Sequence, residues 1–152
     1  TTLFRSLTAL SIFTFAKVMK PVAMTSETQA EYATLPWQTY SDELLNEARR
    51  SGKAVLIDFY ADWCVACKEL EIYTFSQAEV QDLQDQFVFL KFDATRDSPE
   101  FEKLRAQYEI LGLPHLVFYD ITGMYRKDVT ATGFEPAKPF AERMKRALKA
   151  AL

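Results

Sequence analysis

The stretch Ala54-Val55-Leu56-Ile57-Asp58-Phe59-Tyr60-Ala61-Asp62-Trp63-Cys64-Val65-Ala66-Cys67 decides the fold. Its first seven residues are almost continuously apolar, the pattern of a strand buried on both faces beneath helices. A Cys-x-x-Cys pair follows the strand at once. With Cys64 at the N-terminus of a following helix, its sulfur faces unpaired backbone N–H groups and the positive end of the helix dipole. Both favour thiolate over thiol, and the thiolate is the attacking species. Two intervening residues bring Cys67 one turn along, within reach to close a disulfide on Cys64. The pair then suits exchange: Cys64 attacks a partner disulfide, and Cys67 resolves the mixed disulfide. Two plainer readings stand beside this one, a structural disulfide and a metal-handling module holding Cu(I) or Zn(II) on two thiolates.

Outward from this stretch the chain alternates between helix and strand periods. Residues 41–50 read as a helix that Ser41 caps, with Leu44, Leu45 and Ala48 on its apolar face. Ser76-Gln77-Ala78-Glu79 has the form of a capping box opening a short helix. Residues 87–92 read as a second buried strand. Ser98-Pro99-Glu100 opens a helix running to about Tyr108, with Pro at its first position. Residues 116–119 read as a third strand, 121–124 as a turn around Gly123, and 126–130 as a fourth strand. Phe140, Met144 and Leu148 then recur at helical spacing on a closing helix. The order predicts an α/β fold with a central mixed sheet flanked by helices.

Composition narrows the function. The chain has 152 residues, 49% of them hydrophobic and 26% charged, with 12 Phe, 7 Tyr and 2 Trp, which is globular and sufficient for a real core. A net charge of −3 without a basic stripe argues against nucleic acid as a partner. The 2 cysteines leave none over for a structural staple elsewhere, and with 1 His, His115, a four-ligand zinc set is short of donors. Residues 1–25 differ from the rest: eleven uncharged residues run between Arg5 and Lys17. As a helix they span ~16 Å, about half of a bilayer's hydrocarbon core. The expected organisation is a membrane-proximal or signal-like segment at 1–25, a polar linker at 26–40 and a domain at 41–152.

The sequence around the pair, from Ala61 through Trp63-Cys64-Val65-Ala66-Cys67-Lys68-Glu69-Leu70-Glu71 to Tyr73-Thr74-Phe75-Ser76, resembles the C-terminal thioredoxin-like domain of the DsbD family of transmembrane disulfide reductases. Leu111-Gly112-Leu113-Pro114 and Thr132-Gly133-Phe134 are similar to later motifs of that family. The resemblance covers about residues 37–150 and implies a thioredoxin fold. It implies a protein-disulfide reductase on the periplasmic side of a bacterial inner membrane, monomeric as a domain and without a bound cofactor beyond the redox-active disulfide. Electrons would come from a membrane-embedded donor and pass to the disulfide of a periplasmic acceptor domain, a route used in cytochrome c maturation. A free-standing exported thioredoxin-like reductase or isomerase is the alternative.

The resemblance also assigns residues. Cys64 becomes the nucleophile, Cys67 the resolving thiol and Pro114 a cis-proline packed on the disulfide. Leu113 joins the docking surface, and Trp63 and Tyr60, which flank the site, are read as shielding it or as part of that surface. Read from the residues alone, Pro114 is an ordinary trans loop proline, and Trp63 and Tyr60 are equally core aromatics. Asp58 is a costly carboxylate within an apolar strand. Glu71 lies two helical turns beyond Cys64, and a solvated helix Glu is its plain reading. The family implies that both approach the thiols and tune their proton affinity. His115 departs from the family's pattern, which carries Thr there; beside a cis-proline its charge would favour thiolate.

Overall fold

The structure, a computed structural model, describes residues 34–150. The segment expected at 1–25 and most of the expected linker lie outside the described residues. Five strands form one sheet: β1 (Trp37–Thr39), β2 (Ala54–Tyr60), β3 (Phe87–Asp93), β4 (His115–Tyr119) and β5 (Ala131–Thr132). Their spatial order is β1-β3-β2-β4-β5, with β1 and β2 parallel to β3, β4 antiparallel to β2, and β5 antiparallel to β4. The helices are α1 (Asp42–Ala48), α2 (Val65–Leu70), α3 (Ala78–Gln81), α4 (Pro99–Tyr108) and α5 (Ala137–Ala147).

Strand β2 is central and buried along nearly its whole length, as its apolar run requires. Alternate residues feed two cores. Ala54 and Leu56 pack with Leu70, Phe75, Phe140 and Met144 on one face. Val55, Ile57 and Phe59 pack with Leu45, Leu104 and Tyr108 on the other. Removing a side chain such as Phe140, wholly buried between sheet and helix, typically costs about 3–5 kcal/mol. Helices α1 and α4 start as their sequences indicate. The Ser41 hydroxyl accepts the Leu44 N–H at 3.1 Å, and the Ser98 hydroxyl accepts the Phe101 N–H at 3.0 Å.

Three local expectations give way. The sheet begins at Trp37, within the stretch 26–40 expected as a linker. Pairing with β3 and ring contacts of Trp37 with Phe75 and Phe89 hold that short edge strand in place. No capping box forms at Ser76. Helix α2 continues instead as a wider π-helical turn, Glu71–Phe75, and the Ser76 hydroxyl is spent donating to the Ile72 carbonyl at 2.7 Å. Helix α3 therefore starts after Gln77 without a side-chain cap. The fourth strand is not at 126–130. Its place is taken by a 3₁₀ turn, Lys127–Val129, and the pairing with β4 moves to Ala131–Thr132. Arg126 is the cause: its buried guanidinium grips both Asp128 carboxylate oxygens at 2.7 Å and the carbonyls of Arg146 and Lys149, which folds the chain against the end of α5.

Candidate functional site

The site grows from the C-terminal end of β2. The chain turns after Ala61, the Cys64 N–H donates to the Ala61 carbonyl at 3.0 Å, and α2 begins at Val65. Cys64 occupies the N-cap position, and the Cys67 N–H points at its Sγ from 3.1 Å. The two cysteines form a disulfide with Cα atoms 5.3 Å apart. With Ala61 they make a small buried cluster, and Tyr60, Ala66 and Leu113 pack against it. The Leu113–Pro114 peptide bond is cis. The Pro114 carbonyl accepts the N–H of Gly133 at 2.9 Å, which ties this loop to the one after β5.

Around the disulfide the surface is apolar and open. Trp63 is 66% exposed, Val65 70% and Leu111 92%. Trp63 is nevertheless fixed: its indole N–H donates to the Thr95 carbonyl at 3.2 Å, while the Thr95 hydroxyl accepts the Asp62 N–H at 2.9 Å. A cleft of about 380 Å³ runs between Trp63 and residues 111–113. A second groove, of about 610 Å³, is lined by Leu35, Trp37, Tyr60, Cys67, Glu71 and Lys91 among others.

Asp58, 2% exposed, is the β2 neighbour of Lys91 in that groove's wall. In the parallel register it sits beside Lys91, and in the antiparallel one beside Leu116. Burial pushes its pKa up to about 7; Lys91 opposes that rise and Glu71 adds to it. One carboxylate oxygen has no hydrogen-bond partner, and the other is 3.9 Å from the Lys91 ammonium. Glu71, about a third exposed on the π-helical turn, makes the direct ion pair with Lys91. The Lys91 ammonium also lies 4.8 Å from the centre of the Tyr60 ring and 5.1 Å from that of Trp37.

Sequence reasoning missed Lys91. The signal was present: Asp58 and Lys91 are each the fifth residue of their strand, and parallel in-register pairing sets them side by side. His115 turns away from this group. Its Nδ1 lies 2.9 Å from the Thr132 hydroxyl, its ring packs 6.4 Å from that of Phe59, and it pairs in register with Phe59. Burial pushes its pKa down, offset in part by the Tyr108 carbonyl, so it is a neutral imidazole near pH 7. Among the described residues, no cluster of three or more His, Cys, Asp or Glu side chains is placed to hold a metal ion.

A CxxC disulfide at the head of a helix, at the end of the central strand of such a sheet and packed by the residue that precedes a cis-proline, defines a thioredoxin-fold thiol–disulfide oxidoreductase. The chain belongs to the thioredoxin-like family, whose model matches residues 36–120. It is similar to the thiol:disulfide interchange protein DsbD of Cronobacter sakazakii, 40% identical over 127 residues, 84% of this chain and 22% of that protein. The DsbD of Vibrio vulnificus is 46% identical over 100 residues, 65% of this chain and 17% of that one. The chain thus spans about a fifth of the length of these curated relatives. Among solved structures, the reduced DsbD C-terminal domain of Neisseria meningitidis superposes with a TM-score of 0.60 at 30% identity, covering 72% of this chain and 99% of that one. The oxidised form gives 0.56 at 33% identity, covering 70% and 88%.

Proposed function

We propose that this domain works as a reductant, relaying electrons from a membrane-embedded donor to the disulfide of a periplasmic partner, as one module of a DsbD-type protein. The observation that carries the reading is the position of Cys64: an N-cap sulfur with a backbone N–H aimed at it, surrounded by exposed apolar side chains on which a protein can dock.

The exchange balances as follows. In the dithiol form the Cys64 thiolate attacks one sulfur of the partner disulfide; that bond breaks, and its other sulfur leaves as a thiolate. Cys67 then gives up its proton and attacks the Cys64 sulfur, which releases the second partner thiolate and closes Cys64–Cys67. The pair is oxidised by two electrons and the partner is reduced by the same two. Asp58 is the group we assign to take the Cys67 proton. A carboxyl titrating near pH 7 can both accept and return it. Glu71 acts with Asp58 on the proton affinity of the thiols. Trp63, Tyr60 and Leu113, with Pro114, form the docking face.

Residues 1–25 are assigned the role of a membrane-proximal segment, which the uncharged run between Arg5 and Lys17 supports, and the similarity to DsbD supports the periplasmic face of an inner membrane as the domain's location. Among the described residues no helix is long and apolar enough to cross a membrane. The test is trapping: the Cys67→Ser chain should hold its partner through a stable mixed disulfide at Cys64, and Cys64→Ser should hold none. Equal trapping by both variants, or by neither, overturns the assignment.

A further inference from the structure

Lys91 has two carboxylates within reach and pairs closely with the more exposed one. Its ammonium contacts Glu71 directly, whereas Asp58 lies 3.9 Å away, too far for a hydrogen bond. A lone ammonium at that distance from a buried carboxylate would close the gap, because the other carboxylate oxygen has no hydrogen-bond partner to compensate its burial. What holds it back is visible. Glu71 reaches in from the π-helical turn, and the Trp37 and Tyr60 rings flank the ammonium at 5.1 and 4.8 Å.

We propose that Glu71 is a positioning residue acting through Lys91: it draws the ammonium off Asp58, so that the Asp58 carboxyl stays free to gain and lose a proton rather than being locked into an ion pair. The π-helical turn belongs to this device, since Glu71 is its first residue. The groups that bear on Asp58 are Lys91 from β3, Glu71 from the turn after α2, and Tyr60 from its own strand; its β4 neighbour, Leu116, carries no charge. Cys67 faces the same groove but does not titrate while it is in the disulfide.

The consequence is a coupling that two independent carboxylates would not show. Glu71→Gln removes an anion and also releases Lys91 toward Asp58; both effects lower the pH at which Asp58 titrates. Lys91→Met removes the cation, so Asp58 titrates at higher pH, and Glu71 loses the group through which it acts.

The test is a double-variant cycle on the oxidised full chain, with the carboxyl carbon of Asp58 followed by NMR against pH. Glu71→Gln should lower the midpoint by about one pH unit or more, the effect expected when an opposite charge moves within a few ångströms. In the Lys91→Met background the same substitution should lower it by less than half as much. Should Lys91→Met fail to fold, Lys91→Gln takes its place in the cycle. Equal shifts in both backgrounds, or no shift on Glu71→Gln, overturn the proposal. The importance of the device for turnover rests on the proposed exchange reaction, but the measurement does not. Oxidised protein is not turning over, so a failed trapping experiment and a failed cycle are separate results.

Discussion

Replacing Asp58 with Asn should flatten the pH dependence of stability. The folded carboxyl titrates near 7 against 3.8 for the free group, because burial disfavours its charged form. A folded pKa raised above the unfolded one means that the folded state holds the proton more tightly. The stabilisation is then complete below the unfolded pKa and is lost as pH rises through the folded one. About three pH units at about 1.4 kcal/mol each give about 4 kcal/mol in all, of which about 3 kcal/mol falls between roughly pH 5 and pH 8. Asn keeps the shape and removes the titration. Any cost of its unpaired amide is the same at every pH. The assay is urea unfolding of the oxidised full chain, wild type and Asp58→Asn, at several pH values. The difference in stability, variant minus wild type, should rise by about 3 kcal/mol between pH 5 and pH 8. Other groups titrate in both proteins and cancel. A difference that stays constant with pH, or falls, would refute the claim that Asp58 pays for its charge by burial.

In the reduced protein Cys64 should react with iodoacetamide well ahead of Cys67, because its sulfur takes the Cys67 N–H at the head of α2; equal rates would reverse or dissolve the division of roles. Gly123→Ala should destabilise by at least about 1 kcal/mol. Its φ is +79°, and an added Cβ would come 2.5 Å from the Arg49 carbonyl oxygen, so an unchanged unfolding midpoint would show that this turn yields freely.

The legible parts of the chain were those where one local signal dominates. The run of apolar residues from Ala54 to Tyr60 has no competing reading, and the structure gives a strand with those bounds. Ser41 and Ser98 precede clean helical periods, and both cap as expected. The failures come where a side chain answers to a distant partner. Arg126 sits in a plausible strand sequence, yet its guanidinium is satisfied by carbonyls at the end of α5, some twenty residues on. Ser76 has the spacing of a cap, but its hydroxyl bonds back to Ile72, because the preceding helix runs one π-helical turn further than its pattern indicates. Trp37 and Thr39 lie in a polar stretch too short for a period-two pattern, and only β3 makes them a strand.

The site divides in the same way. Its cysteines declare themselves by spacing, but the electrostatics around them depend on a register that only the folded sheet supplies. Two acidic residues near a thiol pair, Asp58 and Glu71, suggest plain repulsion of the thiolate, and the sequence between the cysteines, Val65-Ala66, shows no cation to offset it. Lys91 changes the count. With Asp58 ionised, the three groups carry a formal charge of −1 in sum; with Asp58 protonated they carry none, because Lys91 and Glu71 cancel. Near pH 7 the net charge of this trio is therefore set by one proton on a buried carboxyl and not by the number of carboxylates. Any net repulsion that this trio exerts on a thiolate is present only while that proton is absent. On the mechanism proposed above, in which Asp58 takes the proton of Cys67, the step that closes the disulfide also removes that negative charge.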